Sequence, residues 1–345
     1  MIRARTPTPP TAPPRSGLPE RLAPAVIDEV LQRAFAEDLG IDGEALSTAL
    51  ASGGGRGGEA HGLTGREASI ESALERDLST GAAVPAARRA CAKLVAKAAG
   101  VVCGLDVFAR AFELLDPDVE VRCTLRDGDT VEPGTVIATV EGHARALLTA
   151  ERTALNLLQR MSGTATATAR LVRAARSGNP QARVLDTRKT TPGLRAFERY
   201  AVRAGGGENH RYGLDDEVML KDNHLDLSTD TSLIDLVRRT RETVGDGVRI
   251  TVEARDLSEA EAALDGGADV LLLDNFEPEG LAPVCAALRE RAAGLSRSVE
   301  LEASGGIDEH TAGAFAAAGV DRLSVGAPTH SAPALDLSLR LEPVA

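Results

Sequence analysis

Positively charged side chains and glycines concentrate in one part of the chain, residues 186–224. Arginine can bind a carboxylate or phosphate through two parallel hydrogen bonds, and lysine acts as a mobile point charge. Five side chains of this segment follow an apolar stretch or stand in a glycine-rich loop, where a ligand can reach them: Arg188, Lys189, His210, Arg211 and Lys221. The segment therefore predicts a site for an anionic ligand. Arg195, Arg199 and Arg203 have i, i+4 spacing, and we interpret them as a solvated helix face.

Two acidic residues, Glu253 and Asp274, end consecutive predicted strands at 249–253 and 270–274. Paired carboxylates can hold a hard divalent cation such as Mg²⁺, with water and ligand oxygens completing its coordination shell. Either acid alone is explained equally well as a cap for the helix that follows it. Because the two acids occupy corresponding positions of consecutive strands, the pair favours a metal site.

Glycine-rich turns follow the next two predicted strands. The first is Ser304-Gly305-Gly306, and the second contains Gly326. Small residues let backbone N–H groups approach an anion closely, and the N-terminus of the following helix adds a favourable field. One such turn is explained by the frequency of glycine in turns, but two adjacent ones favour a phosphate site.

The elements that must position these residues alternate between strand and helix. Short aliphatic segments, each followed by a polar or glycine-rich turn, recur at 183–187, 249–253, 270–274, 299–303 and 322–325. This alternation predicts parallel strands covered by helices, in a barrel or in an open doubly wound sheet. We favour the barrel, because barrel enzymes build their sites at the carboxyl ends of the strands, where the candidate residues stand.

The preceding part of the chain predicts a smaller α+β unit. We expect a helix near 24–39, strands and a turn-rich hairpin between 90 and 143, and two helices over 144–176. The two helices are expected to break near Ser162-Gly163, because glycine disfavours a helix interior.

Two stretches of this first half carry little apolar material. Residues 1–23 are rich in proline and threonine and predict a disordered tail. Residues 41–74 contain the run ASGGGRGG, and we interpret them as a flexible insertion with a helical patch near 66–75.

Composition limits the classes of partner. The chain has 345 residues, which suggests about two domains, and a net charge of −12. An acidic chain with only 2% aromatic residues does not favour nucleic-acid binding. Its four cysteines form no zinc or disulfide pattern, and no apolar run approaches the ~20 residues of a transmembrane helix. The N-terminal residues lack the apolar stretch of a secretion signal, so we expect a cytoplasmic protein that binds neither nucleic acid nor membrane.

The run at 186–224, DTRKTTPGLRAFERYAVRAGGGENHRYGLDDEVMLKDNH, resembles the signature of the quinolinate phosphoribosyltransferase family. Further runs match the family in the same order: ERTALNLLQRMSGTAT at 151–166, VEARDLSEAEAALDGGADVLLLDN at 252–275, EASGGI at 302–307 and SVGAPTHSA at 324–332. The resemblance covers about 76–340, and motifs of this length are much more specific than a short glycine pattern.

The resemblance implies α/β plus α+β architecture in a homodimer with shared active sites. Residues 24–145 would form an N-terminal open α/β sandwich domain, and residues 146–335 a C-terminal incomplete α/β barrel. The C-terminal segment 336–345 would complete the N-terminal domain. Members of the family join quinolinate to 5-phosphoribosyl-1-pyrophosphate with Mg²⁺, and yield nicotinate mononucleotide, pyrophosphate and CO₂ in NAD biosynthesis.

The resemblance assigns one group of residues to quinolinate, which is a dicarboxylate. These are Arg152, Arg188, His210, Arg211 and Lys221. Arg152 would reach the site from the other subunit of the dimer, although its own place in an amphipathic segment gives no sign of function.

A second group is assigned to 5-phosphoribosyl-1-pyrophosphate: Lys189, Glu253, Asp274, Ser304, Gly305, Gly306, Gly326 and His330. Within this group Glu253 and Asp274 would engage Mg²⁺ and the ribose hydroxyls. The residues expected to stabilise the charges that develop during catalysis are Lys189, Lys221, Glu253 and Asp274.

Two other functions remain open at the level of sequence. One is a related phosphoribosyltransferase that acts on another pyridine or unknown acid, including paralogues associated with molybdenum transport. The other is a catalytically silent regulatory or scaffold protein, since fold alone does not give function. The presence of every polar residue that the motifs carry argues against the silent protein. The proline-rich tail and the stretch 41–74 depart from the family pattern, but both lie outside the motifs.

Overall fold

The computed structural model describes residues 22–51, 70–228 and 230–344. Within these ranges, the first part of the chain contains in order α1 (Pro24–Leu39), α2 (Gly43–Ala51), α3 (Ile70–Leu74), α4 (Leu78–Ala83), β1 (Arg89–Ala96), β2 (Gly100–Val101), α5 (Leu105–Leu115), β3 (Glu120–Cys123), β4 (Thr130–Val131), β5 (Val136–His143) and α6 (Ala144–Gly178).

Strands and helices alternate in the second part, as the sequence predicts. Its elements are β6 (Arg183–Leu185), α7 (Arg195–Ala204), β7 (Val218–Leu220), α8 (Asp222–Asp226), α9 (Leu233–Val244), β8 (Ile250–Ala254), α10 (Leu257–Gly266), β9 (Val270–Asp274), α11 (Pro278–Gly294), β10 (Glu300–Ser304), α12 (Ala312–Ala317), β11 (Arg322–Ser324), α13 (Ala327–His330) and β12 (Leu337–Pro343). No helix in the described ranges combines the length and the apolar character that crossing a membrane requires.

Strands β6 to β11 form one parallel sheet in the order β6-β11-β10-β9-β8-β7. From β7 to β11, strands that follow each other in the chain are neighbours in the sheet, and β6, the first of the six strands, pairs with β11, the last, as in a barrel. In the described chain β6 and β7 do not pair, and Leu185 instead forms an isolated parallel bridge with Glu208. The unit is an incomplete α/β barrel, and the open doubly wound alternative is wrong.

An antiparallel sheet in the order β12-β1-β5-β3 organises the N-terminal part. The core beside it includes α5, where the rings of Phe108 and Phe112 pack edge to face with centroids 5.0 Å apart. Strand β12 pairs with β1 from Leu337 opposite Ala96 to Pro343 opposite Ala90. The last described strand of the chain thus lies in the same sheet as β1.

The prediction of flexibility over 41–74 is wrong at both ends of that stretch. Residues Gly43–Ala51 form α2, which contacts α1, and Leu46 is completely buried. Ile70–Leu74 form α3, where the helical patch was expected. The glycines near 53–58 favoured a flexible segment, although the apolar side chains that precede them have helical spacing. Residues 1–21 and 52–69 lie outside the described residues, but Leu22, from the predicted tail, is only 1% exposed.

Residues Ala144–Gly178 form the single helix α6, so the predicted break near Ser162-Gly163 is wrong. Gly163 is fully inside the packed structure, and a Cβ at this position would lie 2.1 Å from the carbonyl oxygen of Pro333. The glycine therefore permits close packing of a distant segment against α6, and it does not end the helix.

We expect Gly163→Ala to destabilise the protein by about 2 kcal/mol or more, because a backbone carbonyl cannot move aside as a flexible side chain can. Gly280→Ala, near the start of α11, is the matched control, because its Cβ would meet nothing within 4 Å. Alanine there should be neutral or stabilising by up to ~1 kcal/mol. Chemical denaturation measures both free energies of unfolding, and equal values for the two variants would contradict the packing role of Gly163.

Candidate active site

Polar side chains meet at the carboxyl ends of the barrel strands. Asp186 follows β6, Lys221 follows β7, Glu253 lies near the end of β8, and Asp274 and Ser304 end β9 and β10. Apart from the buried Thr251, the other residues of β8 and β9 are buried and aliphatic, as expected for strands covered on both faces. The barrel therefore gathers these residues at one edge.

Glu253 and Asp274 lie on the same face of neighbouring strands, but not at the same level. Glu253 pairs with Leu272, so Asp274 stands two residues further toward the carboxyl end. A shift of two residues keeps both side chains on one face of the sheet. The expectation that the two acids occupy corresponding positions is therefore wrong: along the strands, Asp274 lies one layer of side chains beyond Glu253.

Lys221 is the direct cationic partner of Glu253. Its Nζ donates to Oε2 of Glu253 at 2.7 Å. The Glu253 side chain is 8% exposed and that of Lys221 is 45% exposed. One side of the Lys221 ammonium thus neutralises a buried carboxylate, and its exposed part can still meet a ligand.

The two acids could bind a divalent cation only if a bound ligand supplied further coordinating oxygens. Among the described residues, no group of three or more His, Cys, Asp or Glu side chains is arranged to hold a metal ion. Burial, and then the negative charge of Glu253, raise the pKa of Asp274. Such a raised pKa is typical of two neighbouring carboxylates whose negative charge is not fully neutralised. The donor set therefore fits a cation whose remaining ligands are water and substrate oxygens.

Two arginines on the cationic side of the site lie close enough for the charge of one to act on the other. Arg188 is exposed, whereas Arg211 is 8% exposed and donates from Nη1 to the carbonyl oxygen of Glu217 at 3.0 Å. Burial, and then the positive charge of Arg188, lower the pKa of Arg211. Two guanidinium groups in this relation can be stabilised by an anion bound between them.

His210, which the resemblance assigns to quinolinate, has a buried ring. Its side chain is 5% exposed, and Nε2 lies 3.2 Å from Oε1 of the buried Glu302. Its Nδ1 accepts the backbone N–H of Arg211 at 2.8 Å. Both ring nitrogens therefore have partners inside the protein.

The glycine-rich turns bring Lys189 and His330 together. A Cβ on Gly326 would lie 3.0 Å from Nε2 of His330 and 3.1 Å from Cδ of Lys189, so only glycine leaves both side chains where they are. Gly305 has a φ of +96°, and a Cβ there would meet the Asn275 side chain at 2.2 Å. Gly306 follows with a φ of +63°. These turns have the close backbone approach that a phosphate site requires.

Arg152 stands apart from this cluster within one chain. It is exposed on α6. Its exposure leaves the guanidinium available to a neighbouring molecule.

A buried ion pair that the sequence did not predict anchors the loop with His210 and Arg211. Arg199 is 8% exposed, and its Nη1 donates to Oδ1 of Asp186 at 3.1 Å. The same guanidinium donates to the carbonyl oxygens of His210 and Arg211. Arg195 also donates, to Thr190 and Tyr212. The interpretation of a solvated face is wrong for both arginines, and the apolar residues beside Arg199 in α7 were the available signal.

Replacing Arg199 with methionine should cost about 3 kcal/mol of stability, because it leaves the buried Asp186 without its counter-charge. Asp186 is 1% exposed. Arg203→Met is the matched control, since Arg203 is exposed one turn later in the same helix and should change stability by less than about 0.5 kcal/mol. Urea unfolding of both variants measures the difference. Similar losses in both would mean that the Asp186 pair contributes little.

A second buried pair fixes the segments around Lys189 and His330. Arg160 on α6 donates to Oε1 of the buried Glu198 at 2.8 Å, and also to the carbonyl oxygens of Thr329 and Ala332. Thr329 in turn donates from Oγ1 to the carbonyl oxygen of Lys189 at 2.7 Å. Sequence reasoning missed Arg160 and Glu198, because nothing local distinguishes them from other charged residues of helices.

Family models cover both parts of the chain. Residues 77–162 match the quinolinate phosphoribosyl transferase N-terminal domain, and residues 164–340 match its C-terminal domain. The boundary between the two matches falls inside α6, at Gly163.

Curated relatives are similar over most of their length. The chain is 42% identical over 248 residues to the probable nicotinate-nucleotide pyrophosphorylase (carboxylating) of Bacillus subtilis, covering 72% of this chain and 82% of that protein. It is 40% identical over 275 residues to the human nicotinate-nucleotide pyrophosphorylase (carboxylating), covering 79% of this chain and 90% of that protein.

Solved structures share the fold. NadC from Streptococcus pyogenes has a TM-score of 0.77 at 35% identity, covering 94% of this chain and 99% of that one. The nicotinate-nucleotide pyrophosphorylase from Francisella tularensis has a TM-score of 0.74 at 30% identity, covering 92% of this chain and 96% of that one. The matched domains, the relatives and the barrel agree, and the chain belongs to the quinolinate phosphoribosyltransferase family.

Proposed function

We propose that this chain transfers the phosphoribosyl group of 5-phosphoribosyl-1-pyrophosphate to the ring nitrogen of quinolinate, with release of pyrophosphate and CO₂. The product is nicotinate mononucleotide, so the reaction is a step of NAD biosynthesis. The names of the relatives, carboxylating nicotinate-nucleotide pyrophosphorylases, support this assignment.

The observation that carries the proposal is the concentration of positive charge at the barrel edge of a chain whose net charge is −12. The pKa of Arg211 is lowered by burial and by Arg188, so an anion bound between the two would be stabilised. Quinolinate offers two carboxylates on adjacent ring carbons, which suits paired arginines. Lys189 and Lys221 extend the positive charge toward the position of a pyrophosphate.

The side chains supply orientation and charge, without a covalent nucleophile. As the bond from ribose C1 to pyrophosphate breaks, positive charge develops on C1, and the lone pair of the quinolinate nitrogen forms the new bond. Glu253 and Asp274 can stabilise the cationic ribose, while Lys189 and Lys221 stabilise the departing anion. The ring nitrogen is then cationic. The adjacent carboxylate leaves as CO₂, its electron pair stays on the ring carbon, and that carbon takes up a proton.

A bound Mg²⁺, held by Glu253, Asp274 and substrate oxygens, would add charge neutralisation at the pyrophosphate. We also propose a homodimer in which the exposed Arg152 of each subunit reaches the partner's barrel. A cytoplasmic location is supported by the four free cysteines, since a reducing compartment keeps thiols unpaired.

Purified protein incubated with quinolinate, 5-phosphoribosyl-1-pyrophosphate and Mg²⁺ tests the proposed function. We expect nicotinate mononucleotide and CO₂ in equal amounts, no product from nicotinate offered in parallel, and loss of turnover when a chelator removes Mg²⁺. A folded protein that leaves quinolinate unchanged would refute the assignment and direct a search toward other heterocyclic acids.

A further inference from the structure

We propose that Glu302, on β10, is a positioning residue that holds the imidazole of His210 in one tautomer and orientation, and thereby fixes Arg211 for binding of the dicarboxylate. The inference concerns the same site and rests on the proposed function. Glu302 touches neither substrate in this account, and it acts through His210.

The hydrogen bonds of His210 define its tautomer. Because Nδ1 accepts the backbone N–H of Arg211 at 2.8 Å, this nitrogen carries no proton. The proton of the neutral ring then lies on Nε2, which donates to Oε1 of Glu302 at 3.2 Å. The two side chains are 5% and 0% exposed, so water does not compete for either bond.

Glu302 has a second donor to satisfy inside the barrel. Arg322 donates from Nε to Oε2 at 2.6 Å. Burial alone would raise the pKa of Glu302, but the hydrogen bond from His210 and the positive charge of Arg322 outweigh it and lower the pKa. One carboxylate oxygen therefore serves His210 and the other serves Arg322, and the Ser324 side chain adds a further hydrogen bond. Glutamine has the same size but only one acceptor oxygen, so it cannot serve both.

The loop that carries His210 and Arg211 is held from two sides. Asp186 accepts the backbone N–H of His210 at 2.8 Å, and Arg199 donates to the His210 carbonyl oxygen at 2.7 Å. These contacts fix the main chain but do not reach the ring. The hydrogen bond to Glu302 fixes the His210 ring, and the ring in turn fixes the backbone N–H of Arg211. This support matters because the Arg211 guanidinium must stay near Arg188, which carries the same charge.

Glu300 provides a matched control in the same strand. It accepts from Nη1 of Arg322 at 3.1 Å and pairs with Arg183 and Arg249, but it makes no contact with His210. Its side chain is 28% exposed. Glu300→Gln and Glu302→Gln therefore both weaken the ion pairs of Arg322. Only the second affects the His210 ring, because the one remaining amide oxygen is drawn to the cationic Arg322 and the amide NH₂ group is left facing Nε2.

Steady-state kinetics and ring ¹⁵N–¹H correlation spectra of the full-length chain test the proposal. For Glu302→Gln we expect KM for quinolinate to rise about tenfold, with KM for 5-phosphoribosyl-1-pyrophosphate within about threefold of the parent value. The His210 nitrogen signals should lose the pattern of a protonated Nε2 and a bare Nδ1. Glu300→Gln should leave both readouts at their parent values.

A purely structural role for Glu302 predicts another outcome. Both variants would then lower the melting temperature, with the His210 signals and the quinolinate KM unchanged, and this result would overturn the proposal. If Glu302→Gln does not fold, Glu302→Asp keeps the charge for Arg322 while its carboxylate stands one methylene further from His210, and the same criteria apply. The ring signals can be recorded from a protein that shows no turnover. A parent chain that does not convert quinolinate would therefore refute the proposed function without deciding the role of Glu302.

Discussion

Lys221→Met lowers kcat/KM for the quinolinate reaction by about a hundredfold to a thousandfold, the size expected when one charged donor is removed from an electrostatic site. Lys221 is the residue whose loss affects both halves of the site. Its ammonium lies 2.7 Å from Glu253, and Glu253 in turn contributes to the raised pKa of Asp274. Without Lys221, two neighbouring carboxylates would face two anionic substrates. The substitution therefore removes the attraction between the ammonium and the substrates, and it leaves the repulsion between the carboxylates and the substrates uncompensated.

Lys97→Met is the control for this substitution, because Lys97 is exposed beyond β1 in the N-terminal part of the chain. It should retain the parent kcat/KM, since a surface lysine far from the site makes no specific contribution. Initial rates at varied concentrations of each substrate give the comparison. A Lys221→Met protein that is folded and turns over as fast as Lys97→Met would show that the Lys221–Glu253 pair is dispensable.

Local patterns were sufficient to predict alternating strands and helices, and the polar residues at the strand ends favoured a barrel over an open doubly wound sheet. Aliphatic segments such as 270–274 are short, end in a polar residue, and precede a helix, and all of this is visible within about twenty residues of sequence. The resemblance then supplied the incomplete closure of the sheet. Neither source could supply the register between β8 and β9, which places Glu253 opposite Leu272 instead of Asp274, because register is decided by packing across the whole sheet.

Two of the wrong predictions, for Gly163 and Arg199, concern contacts with other segments of the chain. Gly163 stays within α6 because Pro333 packs against it, and Arg199 is buried because Asp186 lies at the end of β6. Helical spacing alone predicted that Arg199 would be exposed to solvent, as its neighbour Arg203 is. A charged residue on a helix is usually solvated, so a partner elsewhere in the sequence is needed to predict the exception.

His210 illustrates the same limit inside the site. The motifs containing His210 and Glu302 were both recognised, yet nothing in the sequence joins them across 92 positions. In the folded chain, both ring nitrogens of His210 have partners within the protein, one of them Glu302. The sequence thus predicts candidate residues one by one, whereas the contacts that hold each of them in place require the fold.

Arg152→Ala should abolish turnover if Arg152 completes the partner subunit's site, and mixing it with Lys221→Met should restore activity. In a mixed dimer, one barrel has its own Lys221 and receives the intact Arg152 of the other chain, while the second barrel lacks both residues. Random exchange makes about half of the dimers mixed, each with one working site, so about a quarter of the parent activity should return.

The recovery distinguishes a shared site from a site built within one chain. If Arg152 served its own barrel, every subunit in the mixture would carry one defect and no intact site could form. Subunits with tags of different size report exchange independently of activity, and they also establish whether the protein is a dimer. Complete exchange without recovery would therefore refute the shared site while leaving the Lys221–Glu253 pair and the proposed reaction to be judged on their own experiments.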